Sequence, residues 1–561
     1  MIMKNKILYL LIGIVTILAA FSCSDDNDWL NPKPKDKMVF EDFWKNKNDV
    51  QSVVMSCYRA MQEDGFMQRI ILGGELRSDN VVEGRDIPEE QRRILFANTL
   101  PNNNIVKWEA FYTVINYCNT VLAHAPGVTE IDPDFTTGTL RAFEAEALTI
   151  RALVYFYLVR LYRDVPFITV PSTDDNQDFS VPQSTEAEIL DHLVKDLKYA
   201  ETYAATVWPR TTYVNQTKAR ITKDAVRALL ADIYLWQGNY EECIATCDKI
   251  LDHVWVEEEY RKLTDDQIVG NELLLVRPPS FNGVVQPQTT SYVYNRIFTQ
   301  KNSTESIFEL YFNAELKANA ALIKLYGHPD DLYHGTISAS PFETWSDPGV
   351  NTPIFARTDL RRGDCSLPED AGYYWIFKYI GSIRAINTTG ATPSIRDYMY
   401  KTENDSPNWI FYRLPDIFLM KAEALVEIGE GNEPRLQEAI HLVNTVYMRS
   451  NPDLADRDSL VFSTYSSKDR LANLVLLEKQ REFLFEGKRW FDLLRKMKRE
   501  NSTDAITNYV LRKFTSSAAI VGSKMSVMDA MYLPIYENEV ISNPTLKQNP
   551  YYKSLIYDKK E

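Results

Sequence analysis

Apolar positions recur along most of the chain at helical spacing. Val50, Val53, Val54, Cys57, Tyr58 and Met61 line one face of a first helix. Trp108, Phe111, Tyr112, Ile115, Asn119 and Leu122 do the same for a second. A third runs from about residue 140 to 162, and its tail, Ala152-Leu153-Val154-Tyr155-Phe156-Tyr157, is apolar on every side. A helix without a polar face belongs inside the molecule. Further along, the pattern pairs up. Ala225, Ala228 and Ala231 keep one helix slim, Gly238-Asn239 turns the chain, and Cys243, Ile244, Cys247, Ile250 and Leu251 line the return. Ile417, Met420, Ala424 and Ile428 stripe a later helix, and Gly429 to Asn432 turns it. Pro434 then falls in the first turn of a partner striped by Leu436, Ala439, Ile440, Val443 and Tyr447.

Between these hairpins, from about 260 to 408, the texture changes. Leu273 to Val276 and Ile307 to Phe312 read as short strands; the remainder mixes Pro, Gly, Asn, Ser and Thr with aromatics and lacks long periodic runs. Loops of this length inside a compact protein are functional or disordered, and the density of Tyr, Trp and Phe argues against disorder. Leu230 to Leu235 with Gly238 and Tyr240 resembles a tetratricopeptide unit. The hairpins are far apart and degenerate, so the expectation is one packed scaffold and not a regular solenoid.

One stretch departs from the amphipathic pattern. In EKQREFLFEGKRWFDLLR, Glu478 to Arg495, the charged residues Glu478, Arg481, Glu482, Glu486, Arg489, Asp492 and Arg495 are threaded among Phe483, Leu484, Phe485, Trp490, Phe491, Leu493 and Leu494. Read as one helix, its apolar residues go almost all the way round, which suits a core. Buried Arg and Glu persist there only when paired and hydrogen-bonded. The three- and four-residue steps Glu482–Glu486–Arg489 and Glu478–Arg481–Glu482 allow pairing along one face. Glu482, Glu486, Arg489, Asp492 and Arg495 are therefore read as a buried structural hub.

The same stretch closely resembles the signature of the SusD/RagB family, an ER-x-x-E-hydrophobic-x-x-EG-x-R-W-x-D-L-x-R helix near the C-terminus. Glu482, Phe483, Glu486, Gly487, Arg489, Trp490, Asp492, Leu493 and Arg495 match it, while Lys479-Gln480-Arg481 stands where the family has Glu-Arg. Trp29-Leu30-Asn31-Pro32-Lys33-Pro34 resembles the family's F-L-x-x-x-P opening, and Glu146-Ala147 with Arg151-Ala152 its E-A-x-x-x-R-A helix. Leu533-Pro534-Ile535 through Asn543-Pro544 to Gln548-Asn549-Pro550-Tyr551 resembles its terminus, with Tyr536 and Tyr551 where Pro and Gly are usual. The resemblance implies an all-α (mainly α) fold, in which tetratricopeptide-like helix pairs form a scaffold with a loop-rich ligand-binding face and a few short strands. Residues 39–561 then make a single domain with its loop-rich insertion at about 260–408, where length alone suggests roughly three or four domains.

Composition narrows the function. A net charge of -15 supplies no phosphate-neutralising stripe, which excludes nucleic acid as a partner. The six cysteines include no C-x-x-C pair, and Cys243 and Cys247 read as small buried hydrophobes, so no disulfide framework is expected. The six histidines form no metal-binding cluster, and no cofactor is expected. Residues 1–22 read as a lipoprotein signal peptide: Lys4 and Lys6 precede an apolar run, Ile7 to Phe21, too short to span a bilayer comfortably. Ala20-Phe21-Ser22-Cys23 resembles a bacterial lipobox, which makes Cys23 the expected lipidation site and residues 23–38 a tether and extended lead-in; ordinary secretion with an incidental Cys is the alternative. Ser24-Asp25-Asp26-Asn27-Asp28 resembles a surface-export signal and reads nearly as well as a solvated tether.

No G-x-S-x-G, phosphate loop or zinc-ligand spacing occurs, and nothing among the 77 acidic residues singles out a glycosidase pair, so no enzyme is expected. The resemblance implies a surface lipoprotein of the outer membrane that captures an oligosaccharide and delivers it to a SusC-like TonB-dependent transporter. A peptide-binding uptake lipoprotein of the RagB type, or a non-transport helical-repeat interaction scaffold, are the alternatives. Sugars present apolar faces ringed by hydroxyls, so the ligand candidates are aromatics beside polar groups on loops. Tyr333, Phe342 and Trp345 near Asp331 and His334 fit, as do Tyr373, Tyr374 and Trp375 after Gly372. The resemblance brings Arg77, Asp79 and Asn80 to the same face as polar partners. The bland alternative is that these aromatics pin the loops to the scaffold. Trp345 leads because Pro341, Ser346, Asp347, Pro348 and Gly349 surround it with turn formers.

Overall fold

The structure, a computed structural model, describes residues 43–172, 179–209, 216–253, 275–276, 280–281, 284–285, 292–327, 335–340, 354–355, 359–361, 365–370, 373–379, 406–451 and 460–553. Its main helices are α1 (Lys47–Met61), α2 (Asp64–Glu75), α3 (Glu109–Val128), α4 (Thr137–Tyr162), α5 (Glu186–Tyr203), α6 (Lys223–Gln237), α7 (Tyr240–Leu251), α8 (Leu414–Glu427), α9 (Glu433–Ser450), α10 (Lys468–Glu482) and α11 (Arg489–Glu500). The strands used below are β1 (Val81–Glu83), β2 (Ser306–Leu310), β3 (Ile337–Ala339), β4 (Ser366–Asp370), β5 (Tyr373–Ile376) and β6 (Trp409–Arg413). The fold is mainly helical.

Local chemistry sets the helix ends. Asn46 accepts from the amides of Asn48 and Asp49 while Asp49 bonds back to Asn46, a capping box that starts α1. Gly238 stops α6 in the left-handed conformation at φ 79°, and the chain re-enters α7 two residues later. The helices then pack in series. Each of α3 to α9 rests on the next, and α10 returns onto α8 and α9. The two hairpins, α6–α7 and α8–α9, thus abut through α7 and α8 although residues 252–413 lie between them in sequence. The tail of α4 is buried throughout, as its all-round apolarity requires, and all five described cysteines are buried. A second apolar cluster fills the space among α8, α9 and α10 with Leu419, Leu425, Val443, Leu471 and Val475.

Strands occur in antiparallel pairs at the edge of this row. Val81 pairs with Ala339 between β1 and β3, Trp409 with Leu310 between β6 and β2, and Leu367 with Trp375 in the β4–β5 hairpin. The strand expected at Leu273 to Val276 is corrected where it is described: Leu275 and Val276 are buried but unpaired. The Val276 amide donates to the Glu305 carboxylate at 3.1 Å, so a side chain replaces a ladder partner.

The stretch from Glu478 to Arg495 is not one helix. It is the end of α10, a break over 483–488, and the start of α11. Phe485 and Gly487 adopt φ 67° and 70° within the break. Close approach explains it: a Cβ on Gly74 of α2 would lie 1.8 Å from the Gly487 carbonyl, and one on Gly487 would lie 2.9 Å from the Trp409 ring. Two glycines let the backbones of α2 and of the break meet beside the Trp409 ring. The apolar residues that encircle a single imagined helix are shared between two real ones.

Candidate functional site

Charged side chains from segments far apart in sequence converge on the ends of α10 and α11. Glu482 accepts from Arg413 (2.5 Å), Arg361 (2.9 Å) and Arg449. Glu486 accepts from the Lys378 ammonium at 2.5 Å and from Nη2 and Nε of Arg413 at 2.7 and 3.0 Å. Glu305, just before β2, shares Arg413 and Arg449 at 2.9 and 3.0 Å. Arg361 also holds Asp359 and Glu478, each at 2.7 Å. Next to this centre, Arg489 grips Asp79 through Nε and Nη2, both at 2.8 Å. On α11, Asp492 accepts from Lys479 at 2.8 Å and Arg495 at 2.5 Å, and both cations also reach Glu423 of α8. All of these side chains except Glu423 are buried, and even that one is largely covered.

Pairing overcomes burial here. Burial would raise the Glu482 carboxyl, but Arg449, Arg413 and Arg361 hold it well below the ordinary range. At Glu486 burial is likewise outweighed, by Arg413 and then Lys378, and the carboxyl falls to about 2. Glu75, at the end of α2, is the contrast. It is bonded by Asn80, the Gly487 amide and Ser78 without a cation, and burial pushes it up to about 7. Glu482 and Glu486 are therefore held ionised, whereas burial raises Glu478 despite Arg361, and the charged groups are bonded to one another inside the protein. Such a network holds segments together; it presents no group to a substrate.

Sequence spacing mistook the partners. Glu482 and Glu486 do not pair along their own helix face but with Arg361, Lys378, Arg413 and Arg449, which come from outside that stretch. Only Arg481–Glu478 and Arg495–Asp492 follow the three-residue step. One local signal for the missing cations exists: Arg413 closes the strand Trp409-Ile410-Phe411-Tyr412, an arginine at the end of an otherwise apolar run.

The candidate ligand residues divide three ways. Arg77, Asp79 and Asn80 are corrected from polar partners of a ligand to parts of the interior. Arg77 is buried, donates to the Met531 carbonyl at 2.6 Å and lies 4.3 Å from the Trp490 ring centre. Asp79 belongs to Arg489, and Asn80 donates to Glu75 and accepts from Gln480. Their segment does lead towards the hairpin, because β1 follows and pairs with β3, which packs beside β5. Tyr373 and Tyr374 are half-buried on β5. The Tyr374 amide donates to the Ser338 hydroxyl at 2.9 Å, and that hydroxyl donates to the Tyr374 carbonyl at 3.0 Å, locking β5 to β3. The backbone of Trp375 pairs with Leu367. Tyr333, Phe342, Trp345, Asp331, His334 and Cys23 lie outside the described residues.

Among the described residues no group of three or more His, Cys, Asp or Glu is arranged to hold a metal ion, and no helix is long and apolar enough to cross a membrane. Comparison with known proteins decides the family. A profile of the SusD family matches residues 364–552, and one described as "Starch-binding associating with outer membrane" matches residues 28–235. The chain belongs to the SusD/RagB family. It is 23% identical to SusD-like protein P38 of Formosa agariphila over 93% of this chain and 95% of that protein. The crystal structure of a SusD superfamily protein from Bacteroides vulgatus is similar with a TM-score of 0.64, at 19% identity over 91% of this chain and all of that one. Surface glycan-binding protein A from Bacteroides uniformis is similar with a TM-score of 0.61, at 18% identity over 90% of this chain and all of that one. SusD family proteins are non-catalytic binding proteins associated with the outer membrane, and this chain is a SusD-like protein of that kind.

Proposed function

We propose that this SusD-like protein is a lipid-anchored, surface-exposed glycan-binding protein that holds an oligosaccharide on its loop-rich face and passes it to a SusC-like TonB-dependent transporter. The carrying observation is the placement of Tyr373 and Tyr374, half-buried on a hairpin that two hydrogen bonds to Ser338 fix against β3. A strand held this way offers its rings from a fixed backbone as a platform for the apolar face of a sugar, and little backbone freedom is lost on binding. Trp345, Tyr333, Phe342 and Trp375 extend the platform in this reading. Cys23 carries the anchor, which is supported by the lipobox-like residues before it.

Calorimetry against host and plant polysaccharides, with peptides in parallel, tests the ligand. Trp345→Ala is expected to weaken glycan binding tenfold or more, about 1.4 kcal/mol, with the melting temperature unchanged. Glycan affinity and stoichiometry that are both unchanged by joint loss of Tyr333, Trp345 and Trp375 move the site elsewhere, and binding of peptides alone makes the protein RagB-like. Fractionation tests the anchor: Cys23→Ala should release the protein from membranes. Protease added to intact cells should digest the wild type, and an untouched wild type contradicts surface exposure.

A further inference from the structure

A recess lies between α3, the segment after α4 and the short helix Glu537–Ser542. It encloses about 620 Å³, within the range of small-ligand sites, and shares no residue with the hub or the hairpin. Two aromatic rings on it are open to solvent: Tyr117 on α3 is 41% exposed and Phe179 is 59% exposed. Trp108 beneath them is buried and bonds to Glu539. Glu109 stands close enough to Glu539 that, after burial, it helps to raise the Glu539 carboxyl. Among the described lining residues there is no Lys or Arg. Lys107, beside them, packs 4.8 Å from the Tyr536 ring centre and acts against the rise of the Glu539 carboxyl, and Arg69 reaches Glu109 at 3.9 Å. The amides of Asn119 and Asn543 are committed to wall carbonyls, at 3.0 Å to Ile168 and 2.8 Å to Val181, so they hold the cleft's shape. Residues 173–178, between Ser172 and Phe179, lie outside the described residues.

Exposed rings next to carboxylates suit one ligand chemistry. Rings stack on the C–H faces of a sugar, and carboxylates accept its hydroxyls in charge-assisted hydrogen bonds. Each nearby cation, Arg69 at Glu109 and Lys107 at Glu539, is offset by a carboxylate, so no uncompensated positive charge draws uronates or sulfated sugars. We infer that this cleft is a second glycan site, selective for a neutral oligosaccharide, with Tyr117 and Phe179 as platforms and Glu109 and Glu539 as hydroxyl acceptors. The inference rests on the glycan-binding reading above and adds a site to it.

Calorimetry on the full chain tests it, using malto-, xylo- and manno-oligosaccharides with oligogalacturonate as the charged comparison. In a Tyr333→Ala, Trp345→Ala, Trp375→Ala background, a neutral oligosaccharide should still bind. Adding Tyr117→Ala and Phe179→Ala should weaken that residual binding at least tenfold without moving the melting temperature, and oligogalacturonate should not bind there. If the background variant does not fold, stoichiometry in the wild-type background decides: two sugars per chain should fall to one with Tyr117→Ala and Phe179→Ala. Residual binding that ignores the cleft substitutions, no residual binding while the wild type binds, or an unchanged stoichiometry overturns the cleft and leaves the loop face standing. A wild type that binds none of the neutral oligosaccharides overturns both readings.

Discussion

The hub around Glu482 and the hairpin carrying Tyr373 and Tyr374 use opposite physical strategies. In the hub, long charged side chains are taken out of water and bonded to one another, so each segment that contributes a charge is pinned to the others. In the hairpin, aromatic side chains stay half in solvent, while backbone and one serine hydroxyl hold the strand. The difference separates what makes the family recognisable from what selects a ligand. The signature from Glu482 to Arg495 is the densest in the sequence and lies in the interior, where a ligand does not reach. Resemblance through it transmits a scaffold and leaves the ligand class to the loops.

The largest expected effect that tests this contrast comes from Arg413. Its guanidinium faces Glu305, Glu482 and Glu486, so Arg413→Ala takes one cation from each of three buried carboxylates. Breaking one buried pair costs roughly 3–5 kcal/mol, and this substitution should reach the upper end or prevent folding. Urea denaturation measures it, and a variant with wild-type stability would show that the network is dispensable.

Acid probes the same centre more gently. Glu486 titrates near 2 in the folded protein against an ordinary value of 4.5. Its contribution is therefore complete above pH 4.5 and is lost as pH falls towards 2, on the order of 3 kcal/mol in all. Glu75 has the opposite sign: raised to about 7 by burial, it favours the fold when protonated, so its effect opposes stability as pH rises through 7. The clean readout is thus the stability difference between wild type and Glu486→Gln, which should shrink on going from pH 6 to pH 3. A difference that stays constant would mean that Glu486 is not held ionised by its partners.

The smallest effect belongs to a pair outside the hub. Arg59 and Glu63 sit 2.9 Å apart at a four-residue step on the surface, each about half exposed. Arg59→Ala should change stability by less than about 0.5 kcal/mol. A loss as large as that of a hub variant would erase the distinction between buried and exposed pairs.

Much of this architecture is legible in the chain because helices announce themselves by local spacing. The stripes of Val50 to Met61, the Gly238 turn and the Pro434 helix start all depend on neighbours within a few residues. The burial of Glu482 and Arg489 is legible too, because apolar residues crowd them. Their partners are not. Asp79 and Arg489 are 410 positions apart, and no local pattern joins them. For the same reason the segment Arg77 to Asn80, which the family resemblance brings to the ligand face, lies buried beside the hub, with Asp79 paired to Arg489. The break at Phe485 and Gly487 escapes a periodicity argument because the cause is a backbone, that of Gly74, arriving from elsewhere. Of the proposed ligand face, Tyr373 and Tyr374 are placed on a hairpin, and their aromatic character is all that the sequence offers about what they meet.

One paired measurement bears on the division between hub and face most directly. Melting temperature and glycan affinity are recorded for Arg489→Ala and Trp345→Ala side by side. Removing Arg489 strands the buried Asp79 carboxylate, so that variant should lose roughly 3–5 kcal/mol of stability while its folded fraction binds glycan as the wild type does. Trp345→Ala should melt as the wild type does and bind at least tenfold more weakly. An Arg489→Ala protein that melts normally and no longer binds would contradict the account, for it would place the ligand in what is here described as the core.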